Sequence, residues 1–439
     1  MDFSRNINAA AQCVATIVPM ALLLASLNAF AAEAPLSLPD AQRRAIERSR
    51  QLAAQDFAIA ASREMSVAAA QLPDPVATFG INNLPVNGSD AFSLTRDFMT
   101  MRSIGVMQEL TRGEKRQARA DRFDRDADKS LAEKNARIAA IQRDTALAWL
   151  DRYYAEAQAS IVAEQSQQAR LEIEAAETAY RTGRGNLADV LAARSSLGAL
   201  DDRASELGRR VGAAKIVLAR WVGNVGGAPL AGKPPIDTIR FDSKTLDSEL
   251  EQHPQIAVLA RQEEVAAAEL KVAQTNKKAD WSVQLMYSQR GPDYSNMISL
   301  AVSVPLQWDR AHRQDREVAA KLAMLNQARA EREDMLRAHA AEVRAMMAEW
   351  ENDRERAVRY TRDLVPLAAE RTQAMLASYR GAKASIIDVL SARRGEIDVR
   401  LQALQLEADA ARLWAQLNYL MPADDAAEPP TANQYRKSP

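Results

Sequence analysis

The sequence predicts a mainly α-helical fold with a small β part, in which one unit of helix, two strands, very long helix, break and helix is written twice. Three observations carry that expectation. First, Tyr180 to Arg194 aligns without a gap on Tyr379 to Arg393, 199 residues later, pairing Leu187, Asp189, Val190 and Leu191 with Ile386, Asp388, Val389 and Leu390. A second match, Met101, Ser103, Ile104, Val106 and Leu110 on Met297, Ser299, Leu300, Val302 and Leu306, has nearly the same offset, 196. Two independent matches at one spacing mark a duplication. Second, no proline interrupts Gly113 to Tyr180 or Ala311 to Val365. At 1.5 Å per residue, a helix of that kind is on the order of 100 Å long, far more than a globular core needs. Third, short segments upstream of each long helix alternate apolar and small or polar residues, which is the period of a strand.

Composition narrows the function classes. Lys plus Arg (57) nearly cancels Asp plus Glu (58), so nothing draws the whole chain to nucleic acid. A single cysteine, Cys13, and three histidines, His253, His312 and His339, leave no zinc cluster and no disulfide framework. The histidines show no ligand spacing and read as surface residues. Neither a glycine-rich phosphate loop nor a Ser/His/Asp set at meaningful spacing is present, so no enzymatic site and no cofactor is expected.

Taken in order, residues 1–32 read as a signal peptide: Arg5, an apolar stretch from Cys13 to Leu27, then Ala29-Phe30-Ala31-Ala32. The stretch is shorter than the roughly 18 residues of a spanning helix. No cysteine stands at the cleavage point, so no lipid anchor is expected. Repeat 1 covers 33–225, a Gly- and Pro-rich linker 226–245, repeat 2 246–421, and 422–439 reads as a disordered polar tail. The first helix runs from about Pro39 to Gln71 and stops at Pro73-Asp74-Pro75; its counterpart runs from about Leu246 to Lys278. Strands are expected at 76–84, 101–110, 281–289 and 297–307. Beyond the first break, Leu187, Val190, Leu197, Leu200, Ala204, Leu207, Val211, Ala214 and Leu218 step by threes and fours, a coiled-coil period. Ile397, Leu401, Leu404, Ala408, Ala411 and Ala415 repeat it in the second half.

Each strand has one greasy face: Ala77, Phe79 and Ile81; Trp281, Val283, Leu285 and Tyr287; Ile298, Leu300, Val302, Val304 and Leu306. A half-buried soluble sheet gives the same alternation. Strands of about 8 to 11 residues also suit a bilayer, but four cannot close a barrel and open edges are not tolerated in lipid. A membrane reading therefore requires several copies to share one barrel. Trp281, Tyr287 and Trp308, near strand ends, suit interfacial girdles. Met99, Met101, Met107 and Met297 read as packing residues rather than soft-metal ligands.

With a signal peptide, a twofold repeat, two strand pairs and very long helices, the chain resembles the TolC-like outer-membrane efflux channels from about Leu38 to Met421. The resemblance implies a homotrimer with a twelve-stranded barrel in the outer membrane of a Gram-negative bacterium. A long coiled-coil α-helical tunnel would continue it across the periplasm, meeting a periplasmic adaptor and an inner-membrane RND-type pump. Leu72-Pro73-Asp74-Pro75, Asn82-Asn83-Leu84-Pro85-Val86 and Met99 to Glu109 are similar to the CzcC-type branch, which implies heavy-metal cations as cargo; organic solutes are the alternative. A periplasmic adaptor, the other long-helix class, resembles one hairpin between β-rich modules, unlike two long hairpins with few strands.

By the same resemblance, the break after each long helix is the adaptor-docking tip, formed by Tyr180, Gly183, Gly185 and Leu187 and by Tyr379, Gly381 and Ile386. A plain helix-helix turn is the alternative. Asp189 and Asp388 would form threefold carboxylate rings at a periplasmic gate, or would only stabilise helix N-termini. Ala192 and Ser391 stand where family members can carry a second acid. Arg112, Lys115, Arg116 and Arg119 after the second strand, and Arg310, Arg313 and Arg316 after the fourth, read as solvated helix faces, with a barrel rim as the alternative.

Overall fold

The structure, a computed structural model, describes residues 34–233, 235–240, 246–381 and 383–422. The expected signal peptide and nearly all of the expected tail lie outside the described residues, as does part of the linker. The element order is α1 Leu38–Glu47, α2 Arg50–Ala69, β1 Val76–Asn82, β2 Met101–Leu110, α3 Gly113–Arg181 and α4 Leu187–Val222 in the first half. In the second half it is α5 Leu246–Glu251, α6 Pro254–Thr275, β3 Trp281–Gln289, β4 Met297–Ser303, α7 Gln314–Arg359, α8 Val365–Arg380 and α9 Ile386–Asn418.

Both halves depart from the expected single opening helix in the same way. Ser49 caps α2 by accepting the Leu52 N–H at 3.3 Å, and His253 caps α6 with Pro254 in its first turn. Each break is short, Arg48 and Ser49 in the first half and Gln252 and His253 in the second. The strands end early as well. β1 stops at Asn82 because Asn83 turns into the left-handed region, φ 55°, ahead of Pro85. β4 stops at Ser303 ahead of Pro305, which has no N–H for a ladder. Between α7 and α8 a π-helical turn, Tyr360–Leu364, absorbs Pro366, whose ring and missing N–H forbid an ordinary α-turn there.

The four strands form one antiparallel sheet in chain order, so β2 of the first half pairs with β3 of the second. The register stacks apolar residues in rows: Phe79, Ile104, Tyr287 and Ile298 in one, Ala77, Val106, Leu285 and Leu300 in the next. The opposite face carries Gly80, Ser103, Ser288 and Met297, then Thr78, Gly105, Met286 and Ser299. A side chain at Gly105 would meet the Thr78 hydroxyl at 2.9 Å and the Leu285 carbonyl at 3.0 Å.

The main core lies midway along the long helices. Trp149, Leu150 and Tyr154 of α3 meet Leu218 of α4, Val343 and Trp350 of α7, and Trp414 and Leu417 of α9. The segment before α1 and the linker, bridged at Leu36 and Leu230, strap this belt: the Trp149 indole donates to the Leu36 carbonyl at 3.0 Å and Trp414 to that of Thr238 at 2.8 Å. Arg152, almost fully buried, donates to the Gly226 carbonyl at 2.9 Å and pairs with Glu156. Towards the helix ends, Val162 and Ala169 of α3 pack with Leu200 and Leu207 of α4 and Ile397 and Leu401 of α9, which is the predicted three-four stripe in use.

Candidate functional site

The two breaks at the far ends of the helices lie side by side, because Ala176, Val190 and Ala193 of the first hairpin pack against Leu390 of the second. Arg393 of α9 reaches across to Glu172 of α3 at 3.0 Å, and its repeat counterpart Arg194 pairs with Glu177 at 2.7 Å. The first turn needs its glycines. Gly183 has φ +71°, and a Cβ on Gly185 would lie 3.2 Å from that of Ala179 and 3.3 Å from the Tyr180 nitrogen. Gly381 in the second turn has φ −83° and space around it, so that turn imposes no glycine.

Of the expected tip contacts, Tyr180 and Leu187 are exposed, at 48% and 53%, and Tyr379 is half-buried. Ile386 is the exception: at 2% exposure it fills the hairpin and is not presented to a partner, whereas its neighbour Ile387 is 54% exposed. A hydrophobic residue opening a helix can face either way, and only packing against the adjacent hairpin decides.

Asp189 and Asp388 each complete a capping box. Asp189 receives the Asn186 N–H at 3.3 Å while its own N–H donates to the Asn186 side chain at 2.9 Å. Asp388 receives the Ser385 N–H at 2.9 Å and the Ser385 hydroxyl at 2.7 Å. Those bonds, the hydroxyl's foremost, hold the Asp388 carboxyl below the ordinary carboxylate range. Helix stabilisation is therefore demonstrable for both residues, and it leaves Asp388 ionised at neutral pH.

Two sets of titratable residues lie elsewhere than their sequence pattern suggests. His253 and His339 are neither scattered nor on the surface: they are 4% and 8% exposed, with ring centroids 4.2 Å apart. Their cavity of about 450 Å3 is also lined by Arg143, Asp144, Glu342 and Tyr419. Burial, then His339 and Arg143, push the His253 pKa down to about 4. A signal existed, since His339 falls on the α7 stripe of Leu325, Ala328, Val343, Met347 and Trp350. Arg112 and Lys115 are not a solvated face either. Arg112 donates to the Lys278 carbonyl at 2.7 Å, and Lys115 pairs at 2.6 Å with Asp280, whose side chain is 9% exposed. Among the described residues no group of three His, Cys, Asp or Glu is arranged to hold a metal ion, and no helix is long and apolar enough to cross a membrane.

No family model matches the sequence, and no curated protein matches it. Solved structures do match in fold. A membrane protein from Pseudomonas aeruginosa superposes with TM-score 0.75 at 15% identity, over 88% of this chain and 90% of that one. CusC, described for transmembrane channel formation, gives 0.74 at 15% identity, over 88% and 92%. The outer membrane protein VceC from Vibrio cholerae gives 0.69 at 17% identity, over 87% and 95%. The chain thus has the fold of solved outer-membrane channels along nearly its whole described length.

Proposed function

We propose that this chain is one protomer of a trimeric outer-membrane channel, the passive export duct of a tripartite efflux system that includes a periplasmic adaptor and an inner-membrane pump. One observation carries the reading: an open four-stranded sheet, β1 and β4 unpaired at its edges, exposes a continuous apolar face, with Phe79 77%, Ile298 75% and Leu300 71% accessible. In water such a face and such edges invite aggregation. In lipid the face is solvated, and joining β4 of one copy to β1 of the next removes every edge when three copies close a ring of twelve strands. The similarity in fold to solved outer-membrane channels supports the same reading. Extraction in mild detergent followed by native mass measurement is expected to give three copies; a stable soluble monomer would overturn it.

Heavy-metal cations are the proposed cargo, on the resemblance of residues 72–75, 82–86 and 99–109, which lie just before β1, at its end, and along β2. Organic solutes are the alternative. The proposed working end is the hairpin tip, with Tyr180, Leu187 and Ile387 as exposed docking contacts and Asp388, aided by Asp189, as a carboxylate ring. Leu187→Asp, which places an unpaired charge in a docking interface, and Asp388→Asn are each expected to lower metal resistance with trimer yield intact. Unchanged resistance in both would reduce the tip to a helix-helix turn.

A further inference from the structure

The two strand-to-helix junctions carry similar cations and use them differently. At the β2–α3 junction three of the four cations are absorbed by the protein: Arg112 and Lys115 converge on Asp280, and Arg116 donates to the Ala70 carbonyl at 3.0 Å, while Arg119, further along α3, stays exposed. At the β4–α7 junction Arg310, Arg313 and Arg316 are exposed, and none makes an ion pair or side-chain hydrogen bond with a described residue. Acids stand close by but are engaged elsewhere. Asp309 holds His312 at 2.7 Å, Glu317 accepts from Asn276 at 3.4 Å, and Asp315 holds Lys277 at 2.6 Å, with Arg310 and Arg316 adding only a longer-range attraction to its carboxylate. Cations around the first turn of a helix are opposed by its macrodipole, so these arginines do not serve the stability of α7.

Immediately before them, past the end of β4, Leu306 and Trp308 are 65% and 87% exposed. Aliphatic, then amphipathic aromatic, then cationic is the order of layers met on leaving a bilayer, from hydrocarbon through the interface to the head groups. We propose that the β4–α7 junction is a binding site for an anionic phospholipid of the periplasmic leaflet. Its phosphate would lie among the guanidinium groups of Arg310 and Arg313, and its glycerol region beside the Trp308 ring. The proposal rests on the channel reading, which puts the helices in the periplasm. Guanidinium suits phosphate through paired N–H donors, and a zwitterionic lipid fits worse because the arginines oppose its ammonium group.

The test is native mass spectrometry of the detergent-solubilised trimer titrated with phosphatidylglycerol or with phosphatidylethanolamine of the same acyl chains. Phosphatidylglycerol is expected to be retained in preference. The double variant Arg310→Gln, Arg313→Gln should weaken its retention roughly thirtyfold, since each cation near an anionic surface contributes about fivefold. Arg209→Gln, at an exposed residue of α4, should leave it unchanged, and Trp308→Ala should weaken retention of both lipids. Equal retention by double variant and parent would overturn the site, as would displacement of the lipid by millimolar inorganic phosphate. Dissociation of the double variant into monomers would also overturn it, assigning the arginines to carboxylates of a neighbouring copy. A parent that forms no trimer would instead overturn the channel reading.

Discussion

His253 begins α6 and faces His339 of α7 with its ring buried, while Arg143 and Asp144 of α3, Glu342 of α7 and Tyr419 beyond α9 line the same cavity. A proton on His253 would have to be held in that buried place beside another imidazole and a guanidinium, which is why its pKa is pushed down to about 4. The unfolded chain has no such penalty and takes up the proton near pH 6.5. The contribution of His253 to folding stability is therefore fully present above about pH 6.5 and is lost as the pH drops towards 4, by up to about 3 kcal/mol. His253→Asn keeps a side-chain acceptor for the start of α6 and removes the titration. Denaturant midpoints measured at pH 7 and pH 4.5 should converge in this variant relative to the parent; an undiminished pH slope would place the sensitivity at another residue.

At the scale of single elements, the sheet shows how register turns alternation into a surface. Leu300 and Ser299 are neighbours on β4, yet Leu300 lies in the row of Ala77, Val106 and Leu285 while Ser299 lies in that of Thr78, Gly105 and Met286. If the apolar rows face lipid, Leu300→Arg costs about 2 to 4 kcal/mol near the bilayer midplane, and Ser299→Arg, facing the lumen, costs much less. Membrane-inserted yield should fall for Leu300→Arg and hold for Ser299→Arg, and equal yields would contradict the lipid-facing assignment. The helices show the complementary point. α3 needs no proline or glycine correction over its 69 residues, whereas the α7–α8 span continues past Pro366 only by widening into a π turn.

For the molecule as a whole, the duplicated halves are held together at both ends and in the middle. β2 pairs with β3 at one end, Arg393 reaches Glu172 at the other, and the belt of Trp149, Trp350 and Trp414 binds helices of both halves and the linker between them. Gly226 matters here, because a Cβ would sit 2.5 Å from the Ala219 Cα while its carbonyl accepts from buried Arg152. Much of this architecture was legible beforehand. The duplication, the long helices, the three-four stripe of α4 and α9 and the greasy strand faces are all local patterns, set by proline placement and by the periods of 3.6 and 2 that backbone geometry imposes. The meeting of His253 with His339, the capture of Lys115 by Asp280, the burial of Ile386 and the pairing of Arg393 with Glu172 were not. Each joins residues far apart in the chain, and a period places a side chain on a face without saying which distant face will cover it. Contact between separate elements is decided by the packing of the folded chain, so those partners emerged only with the tertiary structure.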